Sequence, residues 1–180
     1  MKIKKITRKG AWQIPKLLNH YRYRLGFEVN EKGKGRILFV CLNPSTASLD
    51  TTDTTVDVFC KSFAIHNGFK ELEIVNLFAY RSKDKKKLLN HIDVIGPENN
   101  QHILDAVNEA DKIVIAYGKY FHNKIRNRAN DVCQMIKNRA RCPICVIKLN
   151  KDGSQTHPLY KDTHKDFIPI TKIPLTININ

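Results

Sequence analysis

The sequence predicts an α/β fold: a three-layer α/β/α sandwich around a central four-stranded parallel sheet, with an N-terminal β-hairpin. Three observations lead there. Short apolar runs rich in β-branched residues recur at 37–41, 72–77, 112–116 and 145–149. Between them lie stretches whose apolar residues fall at helical spacing, and strands alternating with helices imply right-handed βαβ units and a sheet covered on both faces. Finally, 180 residues with 42% hydrophobic content suit one domain with a real core.

The elements follow in order. Residues 1–20 read as a basic lead-in with one short apolar patch, Trp12 to Leu18. Tyr21 to Val29 alternates enough to be a strand, and residues 30–35 supply a turn into Ile37, so these two strands are expected to form the hairpin. The run at 37–41 stops at Leu42-Asn43-Pro44-Ser45-Thr46, which reads as strand, sharp turn and helix start. Val56, Phe59, Cys60, Phe63 and Ala64 then sit at helical spacing, with Gly68 as the stop. After the strand at 72–77, the turn Gly96-Pro97-Glu98-Asn99 precedes a helix marked by Ile103, Leu104, Val107 and Ala110. The strand at 112–116 ends at Tyr117-Gly118, and Ile125, Ala129, Val132, Cys133 and Ile136 mark a long amphipathic helix. The strand at 145–149 completes the pattern, and 161–180 reads as an irregular C-terminal tail.

Charge narrows the function. Lysine and arginine total 31 against 17 acidic residues, a net charge of +14, and residues 1–36 alone hold eleven basic residues against two acidic ones. Further basic clusters lie at 81–87 and 119–141. Such clusters form an electrostatic footprint for a polyanion, although a solvated lysine-rich surface gives the same pattern. The charge itself does not select DNA over RNA. No run approaches the roughly 18 apolar residues of a membrane span, and the lysine-rich start lacks the apolar stretch of a signal peptide, so a cytoplasmic location is expected. Five scattered cysteines argue against a disulfide framework and suit a reducing compartment. Cys142-Pro143-Ile144-Cys145 has metal-ligand spacing but no matching second pair. Gly-rich phosphate loops and a G-x-S-x-G elbow are absent from the sequence. No cofactor or metal is expected.

Each strand ends in a polar or turn signature: Asn43-Pro44, Asn76, Tyr117-Gly118, and His157-Pro158 a few residues beyond the fourth. In a parallel sheet these ends share one rim, where open α/β sheets bind ligands. Each also has a plain structural reading. Asn, Pro, Ser and Thr are ordinary turn and cap residues, and His157 can be a turn histidine.

The set LNPST, Asp53-Thr54-Thr55, Val75-Asn76-Leu77-Phe78-Ala79-Tyr80-Arg81, Gly96-Pro97-Glu98-Asn99, Tyr117-Gly118 and His157-Pro158-Leu159-Tyr160 resembles a bacterial and phage family built on a domain of unknown function. The order of these motifs is also similar, at a distance, to the uracil-DNA glycosylase superfamily. There a water-activating motif of the form Gly-Ile-Asn-Pro follows the first strand, as Cys41-Leu42-Asn43-Pro44 does here. An asparagine ending the next strand reads the base edge, in the place of Asn76. Residues 113–118 look like its strand ending in Trp-Gly, and His157-Pro158 like the start of its His-Pro-Ser motif. Leu159-Tyr160 departs from the Ser-Pro that follows there, and Asn43 replaces the aspartate of the faster enzymes.

This resemblance implies hydrolysis of the N-glycosidic bond of a damaged or modified base, in DNA rather than RNA and without a cofactor. Dissociative cleavage builds positive charge on the sugar and negative charge on the base, so it wants a held water below the sugar and a donor at the base. Asn43 and His157 are the candidates for those two tasks, with Asp53 a second water activator or else a helix N-cap. Asn76 and Tyr117 are the candidate base contacts. Ser45, Thr46, Arg81 and Lys119 are candidate phosphate contacts, as base flipping from DNA requires. Two alternatives stay open: a nucleic-acid-binding protein without catalysis, and an N-glycosidase acting on free nucleosides or nucleotides.

Overall fold

A computed structural model describes residues 10–15, 20–45, 54–119, 122–151, 153–158 and 168–169. Asp53, Thr46, most of the lead-in and most of the tail lie outside the described residues. The strands are β1 (Trp12–Ile14), β2 (Arg24–Glu28), β3 (Arg36–Cys41), β4 (Glu71–Asn76), β5 (Lys112–Ile115), β6 (Ile144–Val146) and β7 (Ile168–Pro169). A π-helical segment, Thr54–Cys60, runs directly into α1 (Lys61–His66); α2 (Lys85–Asn90), α3 (Asn99–Glu109) and α4 (Asn123–Arg139) follow. Among the described residues the strands form one mixed sheet in the order β1-β2-β4-β3-β5-β6-β7. The inner four, β4, β3, β5 and β6, are parallel, as their near-continuous apolar sequences require.

The expected hairpin between β2 and β3 does not form. β2 pairs antiparallel with β4, Leu25 opposite Ile74, and with β1, Trp12 opposite Gly26. The turn at 30–35 docks on the approach to β4 instead: Lys34 N–H donates to Gly68 O at 3.0 Å and Lys70 N–H to Gly35 O at 3.1 Å. The antiparallel pair at the N-terminus is therefore β1 with β2. Likewise the tail is not wholly irregular, because β7 adds antiparallel to β6.

Strand alternation sends side chains to two cores. Leu38, Val40, Val75, Leu77, Ile113, Ile115 and Val146 pack with α3 and α4 on one face. Ile37, Phe39, Cys41, Leu72, Ile74, Val114 and Ala116 pack with Val56, Cys60, Phe63 and Ala64 on the other. Helices thus cover both faces of the sheet. None among the described residues is long and apolar enough to cross a membrane.

The amino-terminal edge of the sheet holds a charged network. Glu73, fully buried in β4, is bridged by Arg24 through both carboxylate oxygens and by Arg36 at 3.1 Å; Arg36 also pairs with Glu71 and Glu109. The Trp12 ring lies beneath both guanidinium groups, 5.2 and 5.9 Å from its centroid, a cation–π arrangement. It occupies the space over Gly26, where an added Cβ would sit 2.2 Å from the indole. Burial raises the Glu73 pKa against the pull of Arg24, whereas hydrogen bonding to Arg24 lowers that of Glu109. A cleft of about 340 Å³ lies beside this network, lined by Arg36, Glu71, Glu109 and their neighbours. Its lining carries both signs of charge, Arg36 and Lys70 against Glu71, Glu109 and Asp111, so it is the outer surface of the network.

Candidate active site at the carboxyl edge

The chemistry-bearing residues gather at the opposite edge. From β3 the chain crosses to β4 over the face covered by the π-helical segment and α1; from β4 it returns past β3 to β5 by way of α3, on the other face. The connections therefore diverge between the carboxyl ends of β3 and β5. Such a switch point leaves the crevice in which open α/β sheets take ligands.

Asn43 lies two residues beyond β3 on one side of that crevice. Its Nδ2 donates to Ser82 O at 2.7 Å and to Pro44 O at 3.0 Å, and Ser82 N–H returns a bond to Pro44 O at 3.0 Å. Both amide hydrogens are thereby engaged, one within the loop after β3 and one tying that loop to the loop after β4. Among the described residues the carbonyl Oδ1 is the group left to hold a water or ligand. Ser45 follows, half-buried, at the end of the described segment.

Asn76 ends β4 opposite Cys41 and shares the phase of Leu72 and Ile74, so it faces the same side of the sheet as Cys41. It is 2% exposed, and its Nδ2 has no hydrogen-bond partner among the described residues. A buried donor without an acceptor costs on the order of 1–3 kcal/mol, and native folds seldom leave one without a reason. The backbone around it is well supplied: Asn99 Nδ2 donates to the carbonyls of Asn76 and Leu77, each at 3.1 Å, and Arg128 Nε to Leu77 O at 2.8 Å.

His157 closes the other side. Gly118, just past β5, has φ +88°, and a Cβ there would lie 3.2 Å from His157 Cβ, so the histidine packs directly on the glycine backbone. Its segment is pinned beyond β6: Thr156 N–H donates to Lys148 O at 2.8 Å, and Asn150 Nδ2 to Ser154 Oγ at 2.9 Å. Asn43, Asn76 and His157 are thus brought to one edge of the sheet, at the ends of β3, β4 and β5.

Tyr117 is not part of this grouping. It shares the phase of Ile113 and Ile115, is 2% exposed in the opposite core, and its hydroxyl lies 3.6 Å from Cys133 Sγ on α4. A ring so placed offers no face to a base. Lys119 is exposed just beyond Gly118. Arg81, half-buried between Tyr80 and Ser82, meets no carboxylate among the described residues, and burial alone holds its pKa below the ordinary arginine range.

Two features escape the sequence. Arg128 on α4 is buried, bonds Leu77 O and Asn100 Oδ1, and has no carboxylate within ion-pair distance among the described residues; burial lowers its pKa, with Asp131 opposing. It sits in the apolar phase of α4, between Ile125 and Val132, which is the signal that marks it. The second is Lys61, 1% exposed, paired with Asp57 at 2.7 Å and lying 3.9 Å from the Phe27 ring. Its i,i+4 partner lies in the π-helical turn, an element common at functional sites. Burial pushes the Cys142 and Cys145 thiols up, away from the thiolate form that metals bind. Among the described residues no group of three His, Cys, Asp or Glu could hold a metal ion.

No curated protein and no solved structure matches this chain. Residues 22–159, a span reaching from the start of the β2 segment through His157, match a family described as proteins of unknown function, DUF1643, and the chain belongs to that family.

Proposed function

We propose that this edge is the active site of an enzyme that hydrolyses the N-glycosidic bond of a damaged or modified base in DNA. The observation that carries the reading is the buried Asn76 amide, whose Nδ2 has no partner among the described residues, at the same carboxyl edge of the sheet as Asn43 and His157. A nucleobase supplies the carbonyl or ring acceptor that this amide lacks. In this reading Asn43 Oδ1 orients the water, and His157 donates to the departing base. Asparagine cannot take up the water's proton as a carboxylate would, so turnover is slow or confined to a labile base. Asp53, the second candidate for that proton, lies outside the described residues.

The test is release of base from oligonucleotides carrying uracil, mismatched thymine or phage-type modified bases, read as alkali-labile sites. Activity that disappears in Asn43→Ala and His157→Ala supports the proposal. No release from a broad panel ends it. The hydrogen bonds from Asn43 to Pro44 and Ser82 favour a second reading, in which Asn43 serves only to brace the loops of a non-catalytic nucleic-acid-binding protein. That protein binds tightly and salt-dependently and leaves no alkali-labile site. Release from free nucleosides but not from oligonucleotides identifies the third, small-molecule activity.

A further inference from the structure

The segment leading away from Asn43 carries a second surface. Tyr80 N–H donates to Val94 O at 3.1 Å, and the Tyr80 and His91 rings stack with centroids 4.0 Å apart. Tyr21 meets Tyr80 edge-on at 6.2 Å, and its hydroxyl donates to the Asp93 carbonyl at 3.1 Å. Asp93 Oδ1 accepts from Gly96 N–H at 2.9 Å. The turn at 91–96 is therefore fastened by a ring stack, a tyrosine hydroxyl and its own carboxylate. On it Ile92 stands fully exposed, at 102%.

An isolated exposed isoleucine is ordinary. Here it stands on a braced turn, and the Tyr80–His91 stack joins it to Arg81, whose guanidinium meets no carboxylate among the described residues. Arg81 in turn precedes Ser82, the residue bonded to Asn43. Between Arg81 and Asp93 the chain carries five basic residues against two acidic ones, Asp84 and Asp93. An apolar tip next to Arg81, in a stretch of basic sequence at the lip of the candidate site, suits a partner that offers apolar faces and phosphates together.

We propose that this lip binds single-stranded nucleic acid, Arg81 holding a backbone phosphate while Ile92 and His91 pack against an unstacked base. The proposal rests on reading the adjacent site as a nucleic-acid site and adds the strandedness of its substrate. A duplex presents phosphates and polar base edges, with base faces hidden in the stack. An unpaired strand exposes those faces, and aromatic and apolar side chains bind them with little regard to sequence.

Fluorescence anisotropy with a labelled oligonucleotide of about 12 residues, its duplex and a mononucleotide tests this. The single strand is expected to bind at least tenfold tighter than either competitor. Ile92→Ser should weaken single-strand binding about fivefold, without changing duplex binding or the melting temperature. Arg81→Gln should lower the slope of log K against log salt by about 0.7, the loss of one phosphate contact on a single strand. Equal binding of duplex and single strand overturns the proposal, as do variants within twofold of the wild type. Ile92-dependent binding to anionic lipid vesicles without single-strand binding also overturns it. The two readings fail separately. Base release that is indifferent to Ile92 and Arg81 sinks the lip alone, and lip-dependent binding with no release sinks the hydrolase alone.

Discussion

Replacing Asn76 by leucine separates a structural from a functional asparagine. The two side chains have the same number of heavy atoms, so Asn76→Leu exchanges an amide for a branched apolar group with little change in bulk. The position is 2% exposed, beside Cys41 and in phase with Leu72 and Ile74, so leucine finds an apolar setting. The exchange removes a desolvated donor that costs on the order of 1–3 kcal/mol when unpaired. Reduced by some strain from the rounder side chain, the net gain should be about 1–2 kcal/mol. For a chain of this size that raises the melting temperature by roughly 2–8 °C. Thermal and urea denaturation followed by circular dichroism measure it, and the same preparation should lose base release or base-dependent binding tenfold or more. A loss of more than about 1 kcal/mol in stability would refute the reasoning, because it would mean the amide is an engaged structural group.

The other predictions concern both edges of the sheet. Gly118→Ala places a side chain at φ +88° and against His157, so it should cost about 1 kcal/mol or more in stability and abolish base release by displacing the histidine; retained activity would show that His157 need not stay where it packs. Arg24→Met leaves the buried Glu73 short of its bidentate partner and should destabilise by about 3 kcal/mol, with much of the loss recovered in Arg24→Met/Glu73→Leu; a double-mutant cycle in urea measures the coupling. Glu109 has its pKa lowered by Arg24, so its contribution to stability is present above the ordinary carboxylate value near 4.5 and is lost as pH falls through the depressed value. Glu109→Gln should therefore make the acid limb of the stability profile shallower. Glu73, raised by burial, works in the opposite sense, its contribution falling as pH rises through its shifted value.

Apolar runs made the four parallel strands legible, because a strand buried on both faces needs an unbroken apolar sequence; α3 and α4 were legible from period alone. Pairing was not legible. The 30–35 turn has hairpin composition, and composition carries no information about β4, which lies far along the chain yet takes the place beside β2. Tyr117 shows a reading that alternation corrects: counted from Ile113 and Ile115, it belongs to the α4 side, away from Asn76. Asn43, Asn76 and His157 were visible as polar stops at strand ends. That the Asn76 Nδ2 finds no partner among the described residues was not, since hydrogen-bond satisfaction is a property of the folded neighbourhood. Glu73 and Arg128 did leave a mark, a charge in the apolar phase of its element.

The placement of β4 between β2 and β3 bears on how the chain folds. The two flanking strands leave the ribosome first, and the strand that separates them comes later, with Arg24 and Glu73 49 residues apart. Until then β2 and β3 are neighbours with free edges and a turn suited to joining them, so the hairpin absent from the native sheet is the nearest misfolded competitor. Native pairing requires β4 to insert where that hairpin would close, a non-local step that ought to slow folding. Arg24 and Arg36, waiting on the two outer strands for Glu73, give the insertion an electrostatic register: a slip of one residue would turn the carboxylate to the other face of the sheet.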